Sequence, residues 1–448
     1  MIFRFNRLAA LCAFAFATCC PLLSGAEDLK QVFRDARSYD AQYGAARYAL
    51  QAGLEKLPQG RSLILPSVGL TSSATRTNLD IDGRGPNPAP ATTRTFNTTT
   101  YQITFSQPLY RPQNKAQYEQ AEFQVRQAEA VFGQAAQDLV IRSAQAYFDV
   151  LSAQDTLALV RAQKAAISEQ LAQAKRNFEV GTATITDTHE AQARYDLNAA
   201  QEISALNDLE VKQRTLQQVT GKAYDKLKPL RSDVKLSPPN PNSMQSWVEI
   251  AEKQSFPVLI QEAASEIAGL EIKRTRSANY PTLDLVASIG QTNQTGSNIS
   301  ATGSLLTPTS VGLQVSVPLY QGGALSSRER EASANYEKAK QDLENARRTS
   351  ALSSRQSYLG VINGIAQITA LEAALVSSQS ALDSNKLGYE VGVRINIDVL
   401  NAQQQLFSTR RDLATARYNT ITNYLKLKAA AGSLREEDLD EVNKALQF

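Results

Sequence analysis

The stretch Y389EVGVRINIDVLN401 ends one long run of helix-forming residues on a glycine and begins another. A cousin, F178EVGTATITDTHE190, lies 211 residues upstream. Gly181 and Gly392 suit the left-handed position that stops a helix. Asp187 and Asp398 suit the start of the next one as N-caps. Asp187 with Glu190 three residues on reads as a capping box. Two helix–turn–helix tips are therefore expected, each at the end of a long helical hairpin.

The flanking sequence supports that reading. Proline is absent from Gln113 to Lys228 and from Leu319 to the C-terminus. Ala, Gln, Glu, Arg and Leu dominate both tracts, and all are good helix formers. Apolar or small residues recur at spacings of four and three: Ala121, Val125, Ala128, Phe132, Ala135 and Leu139. After a stutter the seam resumes at Val150, Ala153, Leu157 and Val160, then Ile167, Leu171, Ala174 and Phe178. That is a coiled-coil-like pattern. A helix from Gln113 to Phe178 would be roughly 100 Å long at about 1.5 Å per residue.

The chain is an internal duplication. P108LY110 matches P318LY320, V219TG221 resembles A430AG432, and L65PSVGL resembles Y280PTLDL. The offsets, 210 to 216 residues, are far longer than those of a solenoid repeat. Each unit begins with a helix, about 28–57 and 246–276. A β-hairpin follows, about 66–108 and 281–319, and then the helical hairpin. The first unit spans 27–221 and the second 246–432. Residues 222–245 form a Pro/Asn/Ser-rich connector, and 433–448 a C-terminal segment.

The hairpin strands alternate. Tyr101, Ile103 and Phe105 oppose Gln102, Thr104 and Ser106; Val311, Leu313, Val315 and Val317 oppose Gly312, Gln314 and Ser316. Segments 80–98 and 292–309 read as loops. About ten residues is the length a tilted strand needs to cross a bilayer. Four strands cannot close a barrel, and an open edge in lipid is forbidden. Spanning a membrane therefore requires several chains: two would supply eight strands, three would supply twelve. Alternation alone fits equally well two soluble hairpins capping a helical bundle. The leader and the helix length favour the membrane.

That leader has Arg4 and Arg7, an apolar core LAALCAFAFATCCPLL, and small residues S24GA26. It reads as an export signal over 1–26. Cys12, Cys19 and Cys20 all fall inside it, so the mature chain has no disulfides. Acylation of Cys19 or Cys20 fits poorly with Phe16-Ala17-Thr18 before them. No run of 18 apolar residues follows, so no transmembrane helix is expected.

Lys+Arg 47 against Asp+Glu 44 excludes the basic excess of a nucleic-acid binder. His189, the sole histidine, has no second ligand for a metal and reads as an exposed helix-start residue. Gly322-Gly323 lacks the Lys-Ser/Thr of a phosphate loop. No nucleophile–base set stands out, so neither enzymatic activity nor a cofactor is expected.

Taken together, Tyr389-x-Val-Gly-x-Arg394-x-x-x-Asp398-Val-Leu, the segment V180GTATITD187, the duplication and the Pro-free helices resemble the outer-membrane factor (TolC) family over essentially the whole mature chain. The resemblance implies an α+β membrane protein of the outer membrane. It would be a homotrimer, with four strands per chain in a 12-stranded barrel continuous with a helical periplasmic tunnel. It implies export of drugs or proteins, with a periplasmic adaptor and an inner-membrane pump or ABC transporter docking at the tip turns of Gly181 and Gly392. Gate links would join Tyr389 to Asp187, and Arg394 to Thr186 and Asp187. Gln170 falls at a further linking position, whose acidic partner position is Lys386 here. Asp398 would ring the pore. The second pore acid falls at the neutral Asn401, implying one acidic ring rather than two. The competing class is a trimeric coiled-coil surface protein or adhesin.

Overall fold

The computed structural model describes residues 26–87, 90–224, 226–231, 234 and 236–446. The expected export signal, with its three cysteines, lies outside them except for Ala26.

Two helices set the scale. α4 (Pro112–Glu179) has 68 residues and α8 (Ala324–Glu390) has 67. Pro112 opens α4, where its missing N–H costs nothing. Each helix folds back through a tip turn into a shorter partner, α5 (Ile185–Thr220) and α9 (Asn396–Ala430). The seam on α4 is buried at Leu139, Val150, Ala153, Leu157, Ile167, Leu171 and Ala174. Phe178, at its tip end, is 44% exposed.

The helices that open each unit are broken, contrary to expectation. In the first, α1 (Leu29–Tyr39) ends at Asp40, which then caps α2 (Ala41–Leu54), followed by α3 (Lys56–Ser62). The Asp40 carboxylate accepts the Tyr43 N–H at 2.7 Å and both Arg142 Nη atoms at 2.8 and 2.9 Å. In the second, α6 (Met244–Gln254) stops at Ser255 and α7 (Phe256–Ser277) restarts with a proline in its first turn. Pro257 has no N–H to continue the preceding helix. On α3, Gly60 packs so close to α4 that a Cβ there would lie 2.7 Å from that of Ala121.

One antiparallel sheet joins the units: β1 (Ser67–Ile81), β2 (Thr92–Tyr110) and β3 (Thr282–Gln294) in that order. The short β4 (Ser304–Leu306) and β5 (Thr309–Ser316) pair one after the other with the same edge of β3 in one register, so together they make the fourth strand, interrupted at Thr307-Pro308. The first hairpin is longer than its apolar part requires. The Thr-rich run 92–100 pairs with β1 rather than looping, because branched Thr side chains suit a strand. Register aligns Leu70 with Ile103, Ile103 with Ile289, and Leu285 with Leu313. One face is thus apolar and bare: Val68, Leu70, Val311, Leu313 and Val315 are each 64–74% exposed. The opposite face carries Thr71, Gln102, Thr104, Ser288 and Gln314. At the sheet–helix junction, Arg111 clamps the buried Asp284 with two bonds, 2.7 Å and 2.6 Å.

The largest core sits midway along the long helices. It gathers Leu29, Val32 and Phe33 of α1, Tyr147, Phe148 and Leu151 of α4, Tyr418, Ile421 and Leu425 of α9, and Leu439 and Val442 of α10 (Glu437–Asn443). Bridges Glu27–Leu227 and Leu230–Leu446 tie the residues just before α1, the connector and the C-terminal segment into one belt. The Tyr147 hydroxyl donates to the Lys228 carbonyl at 2.7 Å inside it. Each large apolar side chain buried here contributes about 2 kcal/mol.

Beside this core the Tyr418 hydroxyl donates to Asp155 Oδ2 at 2.6 Å, joining α9 to α4. Burial raises the Asp155 carboxyl above its ordinary value of 3.8, against the opposing pull of that hydrogen bond. The folded chain therefore holds this proton more tightly than the unfolded one. The resulting stabilisation is full below the ordinary value and is lost as pH rises through the raised one. Asp155→Asn keeps an acceptor without the charge. It should flatten the dependence of Tm on pH from about pH 4 upward and raise Tm at neutral pH. A curve identical to that of the parent would exclude Asp155 as its source.

α8 also contains an 18-residue window apolar enough to cross a membrane, only 11% of it buried. Small and amide residues interrupt its apolar side chains, so it is not a continuous apolar run. It packs along α9 and leaves Leu352, Leu359 and Val376 exposed.

Candidate gate at the helical tips

Both tip turns close as the glycines require. Gly181 and Gly392 have φ of +78° and +80°. The Thr182 N–H bonds the Asn177 carbonyl at 2.8 Å, and the Gly181 N–H bonds that of Phe178 at 3.0 Å. Val393 and Gly392 repeat the pattern on Gly388 and Tyr389 at 2.9 and 3.1 Å. This paired closure needs the left-handed residue.

The helix starts after them differ. Thr184, not Asp187, is the N-cap of α5, and Asp187 is its third residue. The Asp187 Oδ2 accepts from the Thr184 N–H at 3.0 Å and from the Thr184 hydroxyl at 2.8 Å. The capping box is therefore Thr184–Asp187 rather than Asp187–Glu190, because Thr184 holds the extended backbone that an N-cap needs. On α9 the N-cap is Ile395, which has no side-chain acceptor, and Asp398 lies in the first turn. Asp398 Oδ2 instead sits 3.6 Å from Arg394 Nη1, one turn before it.

The links expected inside the tip are consequently rearranged within the protomer. Tyr389 is not joined to Asp187, whose carboxylate is engaged by its own turn. The Tyr389 hydroxyl accepts from Asn177 Nδ2 at 3.2 Å. Arg394 meets Asp398 rather than Thr186 or Asp187, since its own helix start lies nearer, and Thr186 is exposed. Gln170 is only 7% exposed, and its Nε2 donates to Asn396 Oδ1 at 2.7 Å rather than seeking position 386. Asn396 is fully buried and its Nδ2 reaches the Asp187 carbonyl at 3.3 Å. A buried amide bridge thus runs from α4 through the start of α9 to the first turn of α5. Ile167, Leu171, Ala174, Ala191 and Leu400 form the apolar plug beside it. Asn401 accepts from Arg194 Nη2 at 2.9 Å, and Gln404 from its Nη1 at 2.6 Å.

Asn177, Asn396 and Arg194 were not singled out from sequence. The duplication carried the signal for Asn396. Its twin position is Ile185, just as Tyr389 faces Phe178 and Arg394 faces Ala183. A polar residue standing where the other copy has an apolar one marks where the hairpins differ.

Residues 32–222 and 247–433 each match the family described as Outer membrane efflux protein. The two matches fall on the two repeats. The chain belongs to the outer membrane efflux protein family. It is an α+β protein of the outer membrane, built on that family's fold. Outer membrane protein TolC of Vibrio cholerae is 34% identical over 94% of each chain. Proteases secretion protein PrtF of Dickeya chrysanthemi is 32% identical over 89% of this chain and 87% of that one. The crystal structure of the CmeC outer membrane channel of Campylobacter jejuni superposes with a TM-score of 0.79. It covers 94% of this chain and 90% of that one at 16% identity, a likeness of fold.

Proposed function

We propose that three copies of this efflux-family chain form a passive export duct, a 12-stranded barrel in the outer membrane continuous with a helical tunnel through the periplasm. The observation that carries it is the sheet: one bare apolar face, one polar face, and unpaired edges on β1 and β5. An apolar face that large asks for lipid or a partner. Unpaired backbone groups in hydrocarbon cost several kcal/mol each, so the edges must meet other strands. The exposed apolar stretch of α8 offers a neighbouring copy a helix face to cover. The family's named relatives include secretion proteins and efflux channels, so drugs and proteins are the cargo classes. The surface-adhesin reading finds no support among them.

The two tips at Gly181 and Gly392 are the proposed docking points for a periplasmic adaptor and an inner-membrane pump or ABC transporter. Tyr389 through Asn177, Arg394 through Asp398, and Gln170 and the Asp187 carbonyl through Asn396 hold the tip closed, and Asp398 and Asn401 line its constriction. Exposed ion pairs such as Arg394–Asp398 contribute about 0–1 kcal/mol each, weak enough for a docked adaptor to undo. Tyr389→Phe with Arg394→Ser removes one acceptor and uncovers the Asp398 charge. Single-channel conductance in planar bilayers should rise; an unchanged value would overturn the gate assignment. Mass in detergent should correspond to three chains.

A further inference from the structure

We propose that the outer mouth of the barrel carries a lid: the loop 295–303, between β3 and β4, folded inward over the aqueous face of the sheet. This rests on the reading of the sheet as one third of a membrane barrel.

The apolar pattern turns over along the first hairpin. Register between β1 and β2 runs unbroken from Ser67↔Ser106 to Ile81↔Thr92. Side chains alternate between the two faces at every step. In the half nearest the helices, Val68, Leu70, Ile103 and Phe105 therefore share the lipid face, and Thr71, Gln102 and Thr104 the aqueous one. In the half farthest from the helices the order is reversed. Leu79, Ile81 and Phe96 stand on the aqueous face, beside Arg94, and all four are half-buried. Asn78, Asp80, Thr93 and Thr95 stand on the outer face and are exposed. There the Thr95 hydroxyl donates to Asn78 Oδ1 at 2.8 Å, and that of Thr93 to Asp80 Oδ1 at 2.7 Å. The outer face thus passes from lipid to water just where the inner face gains apolar side chains that need a cover.

The loop supplies that cover. Its base is tied to β2: the Thr295 N–H donates to the Asn97 carbonyl at 3.0 Å, and the Thr295 hydroxyl accepts from the Asn97 N–H at 2.8 Å. Gly296 is buried so close to Phe96 that a Cβ there would lie 3.2 Å from that of Phe96. Arg94 Nη1 donates to the Asn298 carbonyl at 3.2 Å. Phe96 and Arg94 both point to the aqueous face, so the loop lies on that side. It is also a closed turn rather than a slack one. The Ser297 N–H donates to the Ser300 carbonyl at 2.7 Å, and the Ser297 hydroxyl accepts from the N–H of Ser300 at 3.0 Å.

Three copies around one barrel bring three such loops to the inner side of its mouth. Passage through a pore is limited by its diameter and lining. A duct with parted tips would otherwise stand open to the outside, and the lid bars large external solutes from it. One side-chain hydrogen bond and one glycine contact latch each loop, so cargo pressing from within can displace it.

The test uses the full-length protein inserted from one side of a planar bilayer, so that its helical part stays in that chamber. Polyethylene glycols of graded size are added to either chamber, and the largest that still lowers single-channel conductance is the cut-off. Arg94→Ala with Phe96→Ser should shift the barrel-side cut-off to larger polymers and leave the tip-side cut-off unchanged. A lock gives the internal control. The Gly296–Phe96 spacing is within a few tenths of an ångström of the roughly 3.5–4.5 Å between the Cβ atoms of a disulfide. Oxidised Phe96→Cys with Gly296→Cys should keep the parent cut-off, and dithiothreitol should shift it to larger polymers in the same channel. A barrel-side cut-off that is the same in the parent, the unlatched variant and the reduced cysteine pair would overturn the lid. If the parent forms channels, that result removes the lid alone; a parent that forms none removes the duct reading and the lid with it.

Discussion

Asn396→Leu is expected to give a channel that stays open. The substitution removes both ends of the amide bridge and strands the buried Gln170 amide against a methyl-rich side chain. A buried polar group left without its partner costs about 1–3 kcal/mol. Tenfold in an equilibrium is about 1.4 kcal/mol, so one lost link shifts closed against open by roughly tenfold, and three copies multiply that. Single-channel recordings should show a raised conductance and few closures. The paired exchange of Gln170→Asn with Asn396→Gln keeps the span of the bridge and should restore closure. If Asn396→Leu lowers Tm while conductance stays at the parent value, the bridge serves stability alone.

Leu313→Arg should abolish assembly in the outer membrane. Leu313 faces outward on β5 at 65% exposure, paired in register with Leu285. Arginine near the middle of the apolar band costs about 2–4 kcal/mol per chain. Three chains bring that to the scale of a whole domain's stability, about 5–15 kcal/mol. The adjacent Gln314→Arg points to the other face and should be tolerated. Heat-modifiable oligomers in the outer-membrane fraction should disappear for Leu313→Arg and persist for Gln314→Arg. The reverse pattern would exchange the lipid and aqueous faces of the sheet.

Much of the architecture was legible in advance because it is periodic. A seam with spacings of four and three, uninterrupted by proline, leaves the chain little choice but a long helix. Alternation of Val311, Leu313 and Val315 with Gly312, Gln314 and Ser316 does the same for a strand. Boundaries were read less well where a residue can serve two structures. The Thr-rich run 92–100 reads as a loop by composition, yet it pairs with β1 and lengthens the hairpin. Asp40 is unremarkable until Arg142 from α4 fixes its carboxylate and the helix breaks there.

The tip divides along the same line. The glycine stops, the duplication and the inequality of the two hairpins are written in the residues, because a left-handed turn admits little but glycine and a repeat reveals its own departures. Which side chains meet across the tip is not local. Asp187 could bond Tyr389 or its own N-cap, and only the placed backbone of Thr184 decided for the cap. Gln170 and Asn396 stand 226 positions apart and meet only when both hairpins are packed. Sequence alone determined two stopped hairpins and a half-apolar sheet; tertiary structure decided their partners, because hydrogen bonds are won by whichever group arrives within about 3 Å.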